Sequence, residues 1–199
     1  MITLTSKTLM TNETVVLCRH DRVLAKILLP IIPAWIKPNH ITVLRFFLIP
    51  PVAYLTWTEN WSVLIPLFLF AGFTDLLDGT LARVRKQITL WGTIADPAAD
   101  KLLIGSVAVL FLAQVSFLLA FVLVFLEVLI VLGAYLRKRR GEYISANWSG
   151  KIKMFLQVVG LAFLFLAKFG LADYLDTIGI SVLVTSLGFA VLSLLTYGL

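Results

Sequence analysis

The sequence predicts an all-α integral membrane protein, with six transmembrane helices preceded by an N-terminal amphipathic interfacial helix. Composition is the first sign. The 199 residues are 60% hydrophobic and 14% charged, whereas soluble domains are about half apolar and about a quarter charged; the mean hydropathy is +0.97. The second sign is length: the apolar stretches 40–58, 62–84, 92–114, 116–136, 150–168 and 178–198 each approach the ~20 residues that cross ~30 Å of hydrocarbon. The third is charge placement. With both termini cytoplasmic, only Lys168 of the seventeen basic residues falls on the far side, as the positive-inside rule requires.

The elements follow in order. Residues 1–13 are polar. From Val15 to Ile36, apolar residues are mixed with Arg19, Arg22 and Lys26, and Pro30 and Pro33 intervene. That is too charged to span and suits a helix lying among headgroups; it is not read as a cleavable signal. Asn39 is the expected N-cap of the first span, and Pro50-Pro51 should bend it. Gln114-Val115-Ser116 leaves room only for a tight hairpin between the third and fourth spans. The last span carries Gly179, Ser181, Ser186, Gly188 and Ser193, small residues that let bilayer helices approach closely. Trp35, Trp57, Trp61, Trp91 and Trp148 all fall at span ends, as an aromatic belt requires. The whole chain, 1–199, suits a single membrane domain, with a tail and interfacial helix over 1–37 and a six-helix bundle over 40–198. Cys18 is the only cysteine, so no intramolecular disulfide is possible. The net charge of +6 is assigned to the cytoplasmic face and its anionic lipids, not to nucleic acid.

Four of the eleven acidic residues lie between Asp75 and Asp100, where the surrounding segments are built for lipid. A carboxylate at membrane depth costs several kcal/mol unless it is paired, metal-bound or facing water. Asp75 and Asp78 are three apart near the cytoplasmic end of the second span, and Asp96 and Asp100 are four apart at the start of the third, so each pair shares a helix face. Consecutive spans on a short loop should pack antiparallel and bring the pairs to one depth. Gly79 and Gly92 would let backbone or substrate come close. Four clustered carboxylates repel one another, which divalent cations would relieve, and hard oxygen donors without His or Cys favour Mg²⁺, Mn²⁺ or Ca²⁺ over Zn²⁺. Arg83 adds a cationic fork suited to phosphate. Carboxylates, a divalent metal and an arginine point to phosphoryl-type transfer. A divalent-cation transporter would also explain the carboxylates, but not Arg83, nor the lack of acidic residues toward the far side.

The pattern Asp75-x2-Asp78-Gly79-x2-Ala82-Arg83-x8-Gly92-x3-Asp96-x3-Asp100 resembles the complete signature of the CDP-alcohol phosphatidyltransferase family, with every fixed position present. The six-span layout resembles that family as well. The resemblance implies that Asp75, Asp78, Asp96 and Asp100 surround two divalent ions, Mg²⁺ or Mn²⁺. Asp100 would also be the catalytic base toward the acceptor hydroxyl. Asp78, Gly79, Ala82 and Arg83 would bind the CDP part of CDP-diacylglycerol. CMP would leave, the nucleotide entering from the cytoplasm while the lipid tails stay in the membrane, and a homodimer is common in the family.

Features outside the window bear on the acceptor. Pro38-Asn39-x2-Thr42-x2-Arg45, Asp96-Pro97-x-Ala99-Asp100-Lys101 and Gly150-Lys151-x-Lys153 resemble phosphatidylglycerophosphate synthases within the family. Arg45, Arg137, Lys151 and Lys153 are the candidate cations for a phosphorylated acceptor, with glycerol 3-phosphate ranked first. Arg45 could instead pair with Glu127, the only acidic residue of the fourth span. Those synthases usually carry Arg-Glu where this chain has Leu126-Glu127, which leaves inositol phosphate, serine and phosphatidylglycerol as alternatives.

Overall fold

A computed structural model describes residues 33, 35–85, 87, 89–139 and 148–197. These form six helices: α1 (Pro38–Trp57), α2 (Trp61–Val84), α3 (Leu90–Val115), α4 (Phe117–Arg139), α5 (Trp148–Lys168) and α6 (Tyr174–Tyr197). All six are long and apolar enough to cross a membrane, and the described residues contain no strand. The interfacial helix expected over Val15 to Ile36 lies outside the described residues, apart from Pro33, Trp35 and Ile36.

Local chemistry explains where the helices begin and end. Helix α1 starts two residues earlier than Asn39 would set it. Lys37 is the N-cap in extended conformation and Pro38 opens the first turn, where its missing N–H costs nothing. Pro50 and Pro51 lie inside the helix, which runs through them. Thr89 caps α3, its hydroxyl accepting from the Gly92 N–H at 3.0 Å. The α3–α4 break is a single extended residue, Ser116, as tight as the expected hairpin. Helix α4 continues to Arg139 because cations are favourable in a last turn, and α6 begins at Tyr174, not 178, with Asp176 in its first turn. An acid there complements the helix dipole.

The packing order differs from the chain order. Helix α1 packs along both α2 and α3, while α2 and α3 touch each other only briefly. The expected antiparallel α2–α3 pair is therefore replaced by α1 inserted between them. Helices α5 and α6 form the most extensive contact of the bundle, and α4 leans on α3 and α6. The shared core runs through Val52, Leu64, Val107, Leu112, Leu123, Leu161 and Leu183. Around it, Trp61 stacks on Phe111 at 5.3 Å, and Phe68 meets Phe165 edge-on at 5.1 Å. The Trp61 end of the bundle is closed by Lys168, which pairs with Asp176 at 2.9 Å and lies 5.6 Å over the Trp61 ring. Large apolar side chains such as Phe47, Leu69, Phe121 and Phe155 are exposed on the outside, which in a membrane protein is the lipid face.

At the α5–α6 seam the backbones cross on two glycines. A methyl group added at Gly179 would stand 2.7 Å from Leu164 Cγ and 2.9 Å from the Gly160 carbonyl oxygen. Gly188, by contrast, has nothing among the described residues within 4 Å of such a methyl group, and Ser181 is exposed and bonded to its own helix at the Thr177 carbonyl. Of the two glycines in α6, Gly179 is the one that sets a close approach.

Candidate active site

Three helices build one polar cluster. Helical spacing puts Thr42 and Arg45 on one face of α1, Thr74 and Asp78 on one face of α2 beside Asp75, and Asp96 and Asp100 on one face of α3. Because α1 lies between α2 and α3, its polar face meets both acidic pairs at once. Arg45 is wholly buried, yet three carboxylates reach it: Nη1 lies 3.0 Å from Asp75 Oδ1 and 2.9 Å from Asp100 Oδ1, and Nη2 lies 2.8 Å from Asp78 Oδ2. Its Nε–H points to Thr74 Oγ1 at 3.5 Å, whose own proton goes to the Ala71 carbonyl at 2.6 Å. Thr42 serves the fourth carboxylate. Its hydroxyl donates to Asp96 Oδ1 at 2.6 Å and stands 3.3 Å from Asp78 Oδ2.

Burial grades across the cluster. The Asp78 side chain is 2% exposed, Asp100 28% and Asp75 40%, so the group has a closed floor at Asp78 and an open rim at Asp75. Buried ions persist only when their partners satisfy them, and here the arginine and the aspartates satisfy each other. The structure thus brings Asp75, Asp78, Asp96 and Asp100 together, through α1.

The glycines of the window have separate tasks. A methyl group on Gly79 would lie 3.5 Å from Arg83 Nη1 and 3.7 Å from Nη2, so the Arg83 guanidinium lies over the bare backbone of Gly79 one turn earlier. Ala82 is half-buried beside it. At Gly92 a methyl group would meet Thr89 Oγ1 at 3.1 Å, Asn39 Oδ1 at 3.4 Å and Asp96 Oδ2 at 3.6 Å. Thr89 donates to Asn39 Oδ1 at 2.9 Å. Asn39, expected to cap α1, instead ties α1 to the start of α3. Arg85, at the end of α2, donates to the Ile36 carbonyl at 2.7 Å and fixes the chain as it enters α1.

The candidate acceptor cations separate. Arg45 belongs to the acidic cluster, not to Glu127. Glu127 pairs with Lys153, which is buried and reaches from α5 toward α4; among the described residues α4 and α5 do not otherwise pack together. Lys151 is exposed, and Arg137 is half-buried in the last turns of α4. One turn beyond Lys153, Gln157 is buried with Nε2 lacking a partner among the described residues. Sequence reasoning missed Gln157 and the carboxylate contacts of Thr42, although Thr42 and Arg45 share a face by the same spacing that flagged the aspartates.

The donor set is chemically suited to a hard divalent cation: carboxylates and a hydroxyl, with no sulfur or imidazole. Among the described residues no three His, Cys, Asp or Glu side chains are gathered around a single point closely enough to hold an ion as they stand. The Arg45 guanidinium lies among them.

Comparison with known proteins adds a second line. A sequence profile of the CDP-alcohol phosphatidyltransferase family matches residues 35–192. A CDP-diacylglycerol--glycerol-3-phosphate 3-phosphatidyltransferase of Rickettsia typhi is 32% identical over 149 residues, 71% of this chain and 83% of the relative. One of the same name from Pseudomonas fluorescens is 48% identical over 80 residues, 39% of this chain and 40% of the relative. A human cardiolipin synthase (CMP-forming) is 40% identical over 72 residues, 36% of this chain and 24% of the relative.

Proposed function

This chain belongs to the CDP-alcohol phosphatidyltransferase family, and from that premise we propose that it transfers the phosphatidyl group of CDP-diacylglycerol to glycerol 3-phosphate, releasing CMP. The observation that supports the site most directly is the meeting of Asp75, Asp78, Asp96 and Asp100 around Arg45 and Thr42. The aspartates are the fixed acidic positions of the family signature, and α1 draws them to one depth.

In this reading Asp100 accepts the proton of the acceptor hydroxyl. Its carboxylate is partly exposed and therefore reachable from the cleft. The freed oxygen attacks the phosphorus that carries the diacylglycerol. A new P–O bond forms there, the bond to the bridging oxygen breaks, and that oxygen leaves with CMP. Asp75, Asp78, Asp96 and Asp100 would hold two divalent ions, Mg²⁺ or Mn²⁺, whose chemistry when bound is to neutralise the diphosphate and the departing phosphate. Arg83, lying over Gly79, carries the planar guanidinium suited to a nucleotide phosphate, and Gly79 and Ala82 leave space for the cytidine. With the cleft on the cytoplasmic side, as the positive-inside rule favours for this sequence, the soluble acceptor and CMP would exchange with the cytoplasm.

Glycerol 3-phosphate is the acceptor named for the Rickettsia and Pseudomonas relatives. The Lys153–Glu127 pair favours one competing acceptor, phosphatidylglycerol. A lysine already neutralised by Glu127 offers less to a phosphate dianion, and part of the chain is similar to a cardiolipin synthase.

The purified protein is to be given CDP-diacylglycerol and Mn²⁺ with glycerol 3-phosphate, inositol phosphate, serine or phosphatidylglycerol, and the lipid product identified by mass spectrometry. Phosphatidylglycerophosphate is expected. Cardiolipin or a phosphoinositide as main product would replace the acceptor and keep the chemistry, whereas no CMP release with any acceptor would overturn the chemistry.

A further inference from the structure

The position of Arg45 has a consequence for the proposed metal site, on which this inference rests. The guanidinium is fully buried and uses both terminal nitrogens on carboxylates from two different helices. Nη1 alone draws Asp75 of α2 and Asp100 of α3 onto one atom. The oxygens engaged are Asp75 Oδ1, Asp78 Oδ2 and Asp100 Oδ1. They belong to three of the four residues whose chemistry suits a divalent ion. Lone pairs pointed at a guanidinium are unavailable to a metal, and two cations at one spot repel.

We propose that Arg45 is a tethered counter-cation that competes with divalent ions for the carboxylates of Asp75, Asp78 and Asp100. It joins α2 to α3 through α1 and cancels part of the charge that would otherwise drive the aspartates apart. A divalent ion that takes the lone pairs now pointed at the guanidinium must displace it from them. Arg45 therefore weakens metal binding while stabilising the cleft. Arg45 is a positioning residue in this role, acting on the acidic side chains. Thr42 is the neutral counterpart: its hydroxyl holds Asp96 by a hydrogen bond, and a hydroxyl can remain beside a bound cation where a guanidinium cannot.

The opposite expectation comes from a scaffold role alone. If Arg45 only held the aspartates in place, removing it would disorder them and metal binding would weaken. The sign of the change decides.

The test is Mn²⁺ binding to the purified full chain in detergent, followed by the electron paramagnetic resonance signal of free Mn²⁺, for the unaltered protein, Arg45→Gln and Arg45→Lys. Arg45→Gln should bind Mn²⁺ at least about tenfold more tightly, the scale of an ordinary coupling between two ligands. Its melting temperature in EDTA should fall below that of the unaltered chain, and Mn²⁺ should raise it by more. Arg45→Lys keeps the charge but loses the fork, so its affinity should lie between the two. Equal or weaker Mn²⁺ binding by Arg45→Gln overturns the proposal. A second measurement needs no variant: phenylglyoxal labelling of Arg45, read by peptide mass spectrometry, should rise severalfold on adding Mn²⁺. Unchanged labelling at saturating Mn²⁺ also overturns it. If the unaltered chain binds no Mn²⁺ while CMP release proceeds in EDTA, the metal reading itself fails, a result distinct from equal affinities.

Discussion

Two pairs of glycines sit in this bundle and do different things. At the α5–α6 seam, Gly160 and Gly179 bring two backbones together, and an added methyl group at either would meet carbon or carbonyl atoms at or below 3.1 Å. In the cleft of α1, α2 and α3, Gly79 and Gly92 face polar side chains instead: the guanidinium of Arg83, and the oxygens of Thr89, Asn39 and Asp96. The seam excludes everything, because membrane helices associate through close packing of small residues. The cleft keeps its helices apart and fills the gap with charges that satisfy one another. A glycine count along the sequence cannot tell these apart. What surrounds the missing side chain can.

The comparison makes predictions of decreasing size. Asp100→Asn should lower CMP release by a factor of about 10³, within the range for loss of a general base, with the melting temperature unchanged or raised because a like charge is gone. Wild-type turnover by this variant would remove Asp100 from the chemistry. At the seam the pattern inverts. Gly179→Val should cost about 1–3 kcal/mol by overpacking and lower the melting temperature, while turnover per folded molecule is kept; equal melting curves would show that the seam tolerates a side chain. Gly92→Ala should fall between. The methyl group presses on Thr89 and Asn39 and disturbs a helix cap worth about 1 kcal/mol, but alanine returns a similar amount of helix propensity. Stability should hold and turnover drop severalfold, and the reverse result would move Gly92 from the cleft to the scaffold. The smallest effect belongs to Gly188→Ala. With nothing among the described residues near the added methyl group, neither activity nor melting temperature should fall; a loss in either would mean the α6 face is covered by something beyond the described residues.

The six helices were legible because each needs only a long apolar run, and that signal is local. Their ends were less so. The Asp173–Thr177 segment reads as a charged loop, yet Asp176 is stabilised by the α6 N-terminus and by Lys168. The spacing of Asp75, Asp78, Asp96 and Asp100 also announced itself. What could not be read was the helix that joins them. Sequence adjacency suggests α2 against α3, and nothing in the apolar pattern says that α1 lies between. With α1 misplaced, Arg45 reads as a cation for the acceptor phosphate or as a partner for the lone acid of the fourth span, whereas Glu127 is committed to Lys153 and Arg45 to the aspartates. Ion pairs between distant helices depend on packing order, and packing order is not a local property.

The contact of Lys168 with Trp61 and Asp176 gives the molecule a fixed level on the face opposite the cleft, since aromatic and basic side chains settle at the membrane boundary. Along α2, at about 1.5 Å per residue, Asp75 lies about 21 Å from Trp61 and Asp78 about 26 Å. Against a hydrocarbon layer of about 30 Å, α2 acts as a ruler that hangs the carboxylates just beneath the other surface. The interior distances of the protein do not change with its host bilayer, but that depth does. Thinner membranes lift the carboxylates toward water, and thicker ones sink them below the plane where a lipid diphosphate rests. Turnover should therefore respond to the acyl-chain length of the surrounding lipid, with an optimum set by the length of one helix.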